Sequence, residues 1–281
     1  MELKDHVFCI TAYKDFLQLS SLLVRLSPQC KCYIHVDKRV RIPESFMQQW
    51  GSDKNIQIIQ TQKIQWGSYR HVLAVLDLLS LIDTEFKYVH IISENTLPAC
   101  SKDEFLAFFA RNPDTNYLEM ALSLDQDPEH KRVKYYYFQY LYNARGKYGQ
   151  YIEKGLCAVQ RCLKIRRNLH IEYKGYLYCH LTAEFVAWIM QHVEESKSFL
   201  YSIKNVYVPE EYFFQNLIAC SPYKETVVND ALIYDIWDEP ERGVPAFLEA
   251  QDYTKIRNSG KLFARKFSSR STELDRMLIW E

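Results

Sequence analysis

The sequence predicts an α/β domain with a mainly parallel central sheet flanked by helices. Two observations support this prediction. Short apolar segments alternate with amphipathic segments of helical period, and 48% of the 281 residues are hydrophobic while only 8 are Gly and 9 are Pro, which indicates a compact globule. Because the chain contains no internal repeat or linker, we expect a single domain over residues 1–281.

The first 124 residues alternate between predicted strands and predicted helices. Apolar runs predict strands at residues 6–12, 31–36, 55–61, 87–93 and 117–124. Helical periods predict one helix at 15–26 capped by Asp15, one at 68–82 with Ser68 as N-cap, and one that Ser101 caps. Ligands of such sheets bind beyond the carboxyl ends of the strands, which here are followed by residues 12–14, 37–39 and 93–98.

The second half of the chain is less regular. Residues 125–170 are polar and weakly periodic, with a basic helix predicted at 150–165. Its charges favour a solvated face, and contact with an acidic membrane or a lipid-linked acceptor is the minority interpretation. Further strands are predicted near 176–181, 226–228, 231–234 and 261–267, with helices starting at Thr182 and Pro209 and a short helix containing Asp275.

Composition excludes several classes of protein. With 35 basic and 35 acidic residues the net charge is zero, so we expect no nucleic-acid partner. The eight cysteines lack zinc-finger spacing and indicate reduced thiols in a cytoplasm. We find no signal or membrane-spanning segment, so we expect either a cytoplasmic protein with at most peripheral membrane contact or a protein whose anchor lies outside this sequence. The sequence also has no Gly-rich phosphate loop, and we interpret its histidines as core or surface residues: His35, His71, His90 and His180.

Two segments carry candidate nucleotide-binding chemistry near strand ends. Asp37 ends the segment Tyr-Ile-His-Val-Asp, where a carboxylate can accept hydrogen bonds from a ribose or a uracil, although an Asp after a strand is also ordinary turn chemistry. Gly67 precedes a predicted helix and allows a tight backbone turn.

Two C-terminal segments carry the strongest signals. Pro209 at the first helical position would leave Glu210 and Glu211 in the first turn, where the helix dipole keeps a carboxylate ionised, although acids are favoured in any first turn. Arg265 and Lys266 are embedded among Leu, Phe and Ala, and burying two cations is unfavourable unless they meet an anion.

Taken together, six segments resemble the core-2/I-branching N-acetylglucosaminyltransferase family, which includes the peptide xylosyltransferases. These segments are HVFCITAYKDFLQLSSLL, YIHVDKR, IQWGSYRHVLAVLDLL, YVHIISENTLPACSKDEFLAFF, VPEEYFFQNLIACSPY and KLFARKF, in the family's order and spacing. The resemblance covers most of the chain and is weakest over residues 125–173.

The resemblance implies a GT-A-like fold and inverting transfer of a sugar from a UDP-sugar, without an obligatory metal or other cofactor. It implies Glu211 as the general base that deprotonates the acceptor hydroxyl. It also implies a donor site, to which we assign Thr11, Asp37, Ser68, Arg242, Arg265 and Lys266. Arg265 and Lys266 would replace a metal on the donor diphosphate. We expect UDP-GlcNAc as donor, with UDP-xylose next, and a glycan or lipid-linked saccharide as acceptor.

Two departures from the family pattern affect the identity of the donor sugar. The chain reads Ser93-Glu94-Asn95-Thr96-Leu97-Pro98 where the family has Ser-Gly-x-Asp-x-Pro. It reads Gly175-Tyr176-Leu177-Tyr178 where the family often has Gly-Ser-x-Trp.

Two alternatives stay open at the level of sequence. Asp125 and Asp127 form an Asp-x-Asp triplet, which in metal-dependent transferases binds Mn²⁺ or Mg²⁺ on the diphosphate. A fold of this kind can also serve as a non-catalytic nucleotide-sugar-binding module. The joint presence of Glu211, Arg265 and Lys266 argues against the latter.

Overall fold

The computed structural model describes residues 1–122, 131–237 and 244–281. Within these ranges the strands are β1 (His6–Ala12), β2 (Lys31–Val36), β3 (Ile56–Ile59), β4 (Tyr88–Ser93), β5 (Thr96–Pro98), β6 (Asn116–Leu118), β7 (Ala121–Leu122), β8 (Tyr173–Lys174), β9 (Cys179–Thr182), β10 (Val227–Asn229), β11 (Ile233–Tyr234) and β12 (Phe263–Arg265).

The helices cover both faces of the sheet. They are α1 (Phe16–Leu26), α2 (Glu44–Trp50), α3 (Arg70–Ser80), α4 (Lys102–Arg111), α5 (Lys131–Lys134), α6 (Gly149–Cys162), α7 (Ala183–Glu195), α8 (Lys197–Ile203), α9 (Phe213–Ala219), α10 (Tyr253–Asn258) and α11 (Thr272–Met277). None of those described is long and apolar enough to cross a lipid bilayer.

Seven strands form the central sheet, in the order β10-β6-β9-β4-β1-β2-β3. All neighbours pair in parallel except β9, which runs antiparallel to both β4 and β6. A second sheet, β11-β12-β5, joins the C-terminal part of the chain to the segment that follows β4. The predicted α/β class with a mainly parallel sheet flanked by helices is confirmed.

The core lies on both faces of the central sheet. Successive residues of β1 point to opposite faces, with Phe8 and Ile10 in one apolar cluster and Val7 and Cys9 in the other. Helices α1, α2 and α4 pack on the first face, and α3, α7 and α9 on the second. Because both faces are covered, the central strands carry buried, mostly apolar residues on both faces instead of alternating apolar with exposed polar residues.

Several predicted elements are confirmed with their caps. Strands β1 and β2 have the predicted bounds, and Asp15 caps α1 by accepting a 3.1 Å hydrogen bond from the Gln18 amide. Ser101 and Glu104 form a reciprocal capping box at α4.

Four predictions about local structure are wrong. Ser68 does not cap α3, whose N-cap is Tyr69, and the Ser68 hydroxyl is buried without a hydrogen-bond partner among the described residues. Residues 96–98 form strand β5, whereas the sequence predicts that the chain breaks into a loop after the strand ending at Ser93. The single strand predicted at 117–124 is interrupted, because residues 116–122 form two short strands, β6 and β7. Pro209–Glu211 is a 3₁₀ turn and the α-helix begins only at Phe213, so neither glutamate lies in the first turn of an α-helix.

Three buried histidines form a row across the middle of the sheet. Nδ1 of His6 lies 2.9 Å from Nε2 of His90, and Nδ1 of His90 lies 2.9 Å from Nδ1 of His180. The row ends at the Ala231 carbonyl, 3.0 Å from Nε2 of His180. Burial lowers the pKa of His6 to about 3 and of His180 to about 4, and the pKa of His90 lies well below its ordinary value of 6.5. The interpretation of His90 and His180 as core residues is confirmed.

We expect this row to make the fold sensitive to acid. The three imidazoles are neutral in the folded protein but gain protons below pH 6.5 in the unfolded chain. Their contribution to the free energy of unfolding is therefore complete above pH 6.5 and is lost as the pH falls towards 4. For a histidine shifted to about 4, as His180 is, the loss at pH 5 is about 2 kcal/mol. Urea unfolding of wild type and His6→Phe at a series of pH values between 8 and 5 measures this change in the free energy of unfolding. The variant should show a shallower pH dependence, and an unchanged slope would contradict this account.

Candidate active site

A cavity of about 460 Å³ opens beyond the carboxyl ends of β1, β2 and β4. Its lining includes residues from all three predicted strand-end segments, among them Tyr13, Asp37, Glu94 and Asn95, together with Thr11 of β1. A volume of this size fits a small organic ligand. The expectation that the segments at 12–14, 37–39 and 93–98 meet at one site is confirmed.

Asp37 organises the wall of the cavity that follows β2. Its buried carboxylate accepts hydrogen bonds from the Arg39 backbone and guanidinium at 2.8–2.9 Å, and from the Ile64 amide at 2.9 Å. Burial alone would raise the pKa of Asp37, but the hydrogen bonds from Arg39 and Ile64 lower it overall. The carboxylate therefore stays ionised and holds Arg39 beside the cavity.

Glu94 connects the ends of β4 and β1. Its carboxylate accepts hydrogen bonds from the backbone amides of Tyr13, Lys14 and Asp15. Burial raises the pKa of Glu94, and the three amides oppose that shift. One side chain thus fixes the backbone of the segment after β1 against the segment after β4.

The loop before α3 is joined to the segment that leads into Glu210 and Glu211 through two residues with left-handed backbones. Gly67 has φ +71° and Val208 has φ +57°, and the Val208 amide donates a 3.1 Å hydrogen bond to the Gly67 carbonyl. A β-branched residue rarely adopts positive φ, so Val208 is a strained position immediately before Pro209. The predicted tight turn at Gly67 is confirmed.

The two adjacent glutamates of the 3₁₀ turn face different surroundings. Glu210 lines the cavity, where its Oε1 lies 3.6 Å from Nδ1 of His71. Its buried Oε2 has no hydrogen-bond partner within the described ranges. Glu211 instead forms ion pairs through its Oε2, at 2.9 Å to Arg132 and 3.2 Å to Lys174. Consecutive residues of a 3₁₀ turn differ by a third of a revolution, which is why the two carboxylates diverge.

Burial raises the pKa of Glu211, and Lys174 and Arg132 lower it in part. Its backbone is also held, because the Gly175 amide donates a 2.8 Å hydrogen bond to the Glu211 carbonyl. A Cβ at Gly175 would lie 1.9 Å from the Glu119 carbonyl oxygen, so no larger residue fits there without displacing backbone. Glu211 is thus a partly desolvated carboxylate in a fixed frame of two cations.

Arg265 is buried beside the same cavity. Its guanidinium lies over the Tyr178 ring, 4.6 Å from the centroid, and 3.9 Å from the Asp235 carboxylate. Tyr178 in turn lines the cavity. The Arg265 Nε has no hydrogen-bond partner in the part of the chain that the structure describes.

Lys266 lies in a positive environment. Burial lowers its pKa, and the charges of Arg265, Lys14 and Arg145 lower it further, while Glu94 opposes them. Lys266 forms no ion pair with a carboxylate of residues 1–122, 131–237 or 244–281. Such a group of cations favours the binding of an anion.

The predicted site residues are only partly brought together. Thr11 and Asp37 line the cavity, and Arg265 and Lys266 lie next to it. Ser68 and Glu211 are close in sequence to lining residues but do not belong to the described lining. Arg242 and the alternative metal ligands Asp125 and Asp127 lie outside the described residues.

Sequence reasoning missed three residues of the site. His71 lines the cavity, whereas we interpreted it as a core or surface residue. Glu94 belongs to the strand-end segment at 93–98, but the sequence assigns it no role. Arg145 lies in the weakly periodic region, with its guanidinium 4.0 Å from the centroid of the Trp66 ring. Trp66, next to the Gly67 turn, is a sequence signal for Arg145, because a Trp ring is a common partner for a guanidinium.

A family model described as "Core-2/I-Branching enzyme" matches residues 7–257. A beta-glucuronosyltransferase from Arabidopsis thaliana, GlcAT14A, is 38% identical over 69 residues. That match covers 25% of this chain and only 15% of the relative.

Similarity to solved structures is low. A complex of S. aureus TarS residues 1–349 with UDP-GlcNAc gives a TM-score of 0.32 at 13% identity, covering 42% of this chain and 34% of that one. The apo form of the glycosyltransferase GlyE from Streptococcus pneumoniae gives 0.38 at 9% identity, covering 94% and 55%. Scores this low say nothing about a shared activity.

The family model spans nearly the whole chain, including the strand-end segments that line the cavity and the Pro-Glu-Glu turn. The chain therefore belongs to the Core-2/I-branching enzyme family, a family of glycosyltransferases.

Proposed function

We propose that the protein transfers a sugar from a UDP-sugar to a hydroxyl of a glycan or lipid-linked saccharide, with inversion at the anomeric carbon. The observation that carries the proposal is the group of cations beside the cavity, formed by Arg265, Lys266 and Arg145. A nucleoside diphosphate supplies the anion that this group favours.

The donor would lie along the carboxyl ends of the strands. The walls around Thr11 and Asp37 offer a hydroxyl, a carboxylate and the Arg39 guanidinium to a nucleoside. Arg265 lies over the ring of Tyr178, which lines the cavity, and Lys266 interacts electrostatically with Glu94 and Arg145, which line it as well, so both cations are placed to meet a diphosphate there. Fixed cations stabilise the charge that develops on the departing UDP and can act there without a metal.

The reaction would be a single displacement. The acceptor oxygen forms a bond to the anomeric carbon as the bond from that carbon to the diphosphate oxygen breaks, and the acceptor proton passes to a carboxylate. We assign the base to Glu211, because burial raises its pKa and makes it a better proton acceptor than an exposed glutamate. Arg132 and Lys174 keep it ionised and oriented.

Glu210 is the rival base. It faces the cavity directly and has an oxygen without a partner among the described residues, which favours contact with a ligand. His71, at 3.6 Å, is placed to accept or return its proton. The two glutamates are distinguishable by substitution because they are adjacent but face different groups.

The donor sugar is open to direct assay. We expect N-acetylglucosamine, and the relative named a beta-glucuronosyltransferase makes UDP-glucuronate the next donor to test, followed by UDP-xylose.

Substitution of the base should abolish transfer without abolishing donor binding. Loss of a general base slows chemistry by about 10²–10⁴-fold. We therefore expect Glu211→Gln to bind UDP normally in calorimetry but to lose UDP-GlcNAc hydrolysis and transfer, while Glu210→Gln keeps at least partial turnover. The opposite ranking would make Glu210 the base.

Wild-type activity should survive EDTA, and its loss would move the chemistry to Asp125 and Asp127.

Removal of the Lys266 charge should weaken nucleotide binding. A charge-assisted contact to phosphate contributes about 1.5–3 kcal/mol, so Lys266→Met should raise the Kd for UDP by about tenfold or more. Uridine, which has no phosphate, should bind both proteins equally. Lys255→Met, which changes an exposed lysine on α10, is the matched control. Equal losses for UDP and uridine would indicate a damaged fold instead of a lost phosphate contact.

The decrease of kcat at low pH should depend on the cations around Glu211. The base must be ionised, so kcat should fall as pH decreases through the raised pKa of Glu211. Lys174 lowers that pKa, so Lys174→Met should move the acid midpoint to higher pH. Circular dichroism over the same pH range should show that both proteins are folded, because acid unfolding would also move the apparent midpoint. An unmoved midpoint would separate the titrating base from Glu211.

A further inference from the structure

Helix α6 presents an apolar face to solvent. Residues spaced as one helical stripe are all exposed: Tyr151, Gly155, Ala158, Val159 and Cys162. Tyr151 is 72% exposed and Val159 55% exposed, and Leu163, 64% exposed, extends the patch beyond the helix. Globular proteins normally turn such a stripe toward their core.

The opposite face of α6 is the one that attaches to the protein. Gln160 is buried and exchanges hydrogen bonds with the Tyr136 backbone, accepting at 2.8 Å and donating at 3.0 Å. Glu153 accepts a 2.8 Å hydrogen bond from the Gln139 side chain. These polar contacts fix the rotation of the helix, so the outward direction of the apolar stripe is set by the fold.

Basic side chains flank the stripe. Lys154 and Arg161 are seven residues apart and so lie on one side of it, and the exposed Lys147 precedes the first turn of the helix. Residues 145–170 contain seven Lys and Arg but one acid, Glu153, which is on the attached face. An exposed apolar stripe beside a row of cations has the composition of a helix that lies in the surface of an anionic bilayer.

We propose that α6 docks the protein on an anionic lipid surface, with Tyr151, Val159 and Leu163 inserted among the headgroups and Lys147, Lys154 and Arg161 on the lipid phosphates. The 14-residue helix is about 21 Å long and would lie parallel to the membrane plane.

Docking would bring the cavity close to the lipid. Asn143 and Arg145 line the cavity and are followed within a few residues by α6. A saccharide carried on a lipid would then reach the cavity from the membrane surface, a consequence that rests on the proposed transfer reaction. Docking itself is independent of that reaction.

The experiment is cosedimentation of the full chain with vesicles of phosphatidylglycerol and phosphatidylcholine. We expect binding to the anionic vesicles that weakens with salt, and little binding to phosphatidylcholine alone. At about fivefold per cation, Lys147→Glu with Lys154→Glu and Arg161→Glu should lower partitioning by about 100-fold or more. Val159→Ser with Leu163→Ser should lower it at high salt as well, because that change removes the apolar contribution.

The matched control reverses three exposed lysines elsewhere, Lys54→Glu with Lys224→Glu and Lys255→Glu, and should retain most binding. UDP affinity, measured on each variant, reports folding and the donor site separately from docking. Equal binding to neutral and anionic vesicles, no binding, or equal losses in the control would overturn the proposal. So would a concentration-dependent dimer abolished by Val159→Ser with Leu163→Ser, since the stripe would then be covered by a second copy.

Discussion

The layout of the candidate site depends on the pairing of two three-residue strands. β12 pairs antiparallel with β5, and Arg265 lies opposite Thr96. Hydrogen bonds at both ends extend the pairing, from the Ala99 amide to the Leu262 carbonyl at 2.8 Å and from the Phe267 amide to the Asn95 carbonyl at 2.8 Å. Without this contact, cations that are some 170 positions later in the chain would have no reason to lie at the carboxyl end of β4. The position of these cations is therefore set by this short pair of strands, although the two segments are far apart in the chain.

Much of the fold follows from local patterns in the sequence. The runs that became β1, β2 and β4 are apolar on both faces, which only a sheet covered by helices accommodates. Caps such as Asp15 and Ser101 use hydrogen bonds within three residues, so local sequence is sufficient to locate them. The meeting of three strand ends also follows, because parallel strands place their carboxyl ends at one edge.

Other features depend on contacts that local sequence does not contain. Ser68 resembles an N-cap, yet the chain turns at Gly67 to meet Val208 and the helix starts later. Residues 96–98 are too short to show strand periodicity and become a strand only because β12 pairs with them. The proline at 209 is compatible with either an α-helix or a 3₁₀ turn, and the left-handed Val208 favours the latter. The roles of Glu94 and His71 likewise arise from partners distant in the chain.

The two adjacent glutamates have separate surroundings, which can change independently of each other. Glu210 forms part of the wall shared with His71, while Glu211 belongs to a frame built by Arg132, Lys174 and the close approach of Gly175 to Glu119. Substitutions in that second frame alter what meets Glu211 and leave the contacts of Asp37 and Glu94 intact. One turn of backbone therefore lets the surroundings of Glu211 change while the cavity wall at Glu210 is kept.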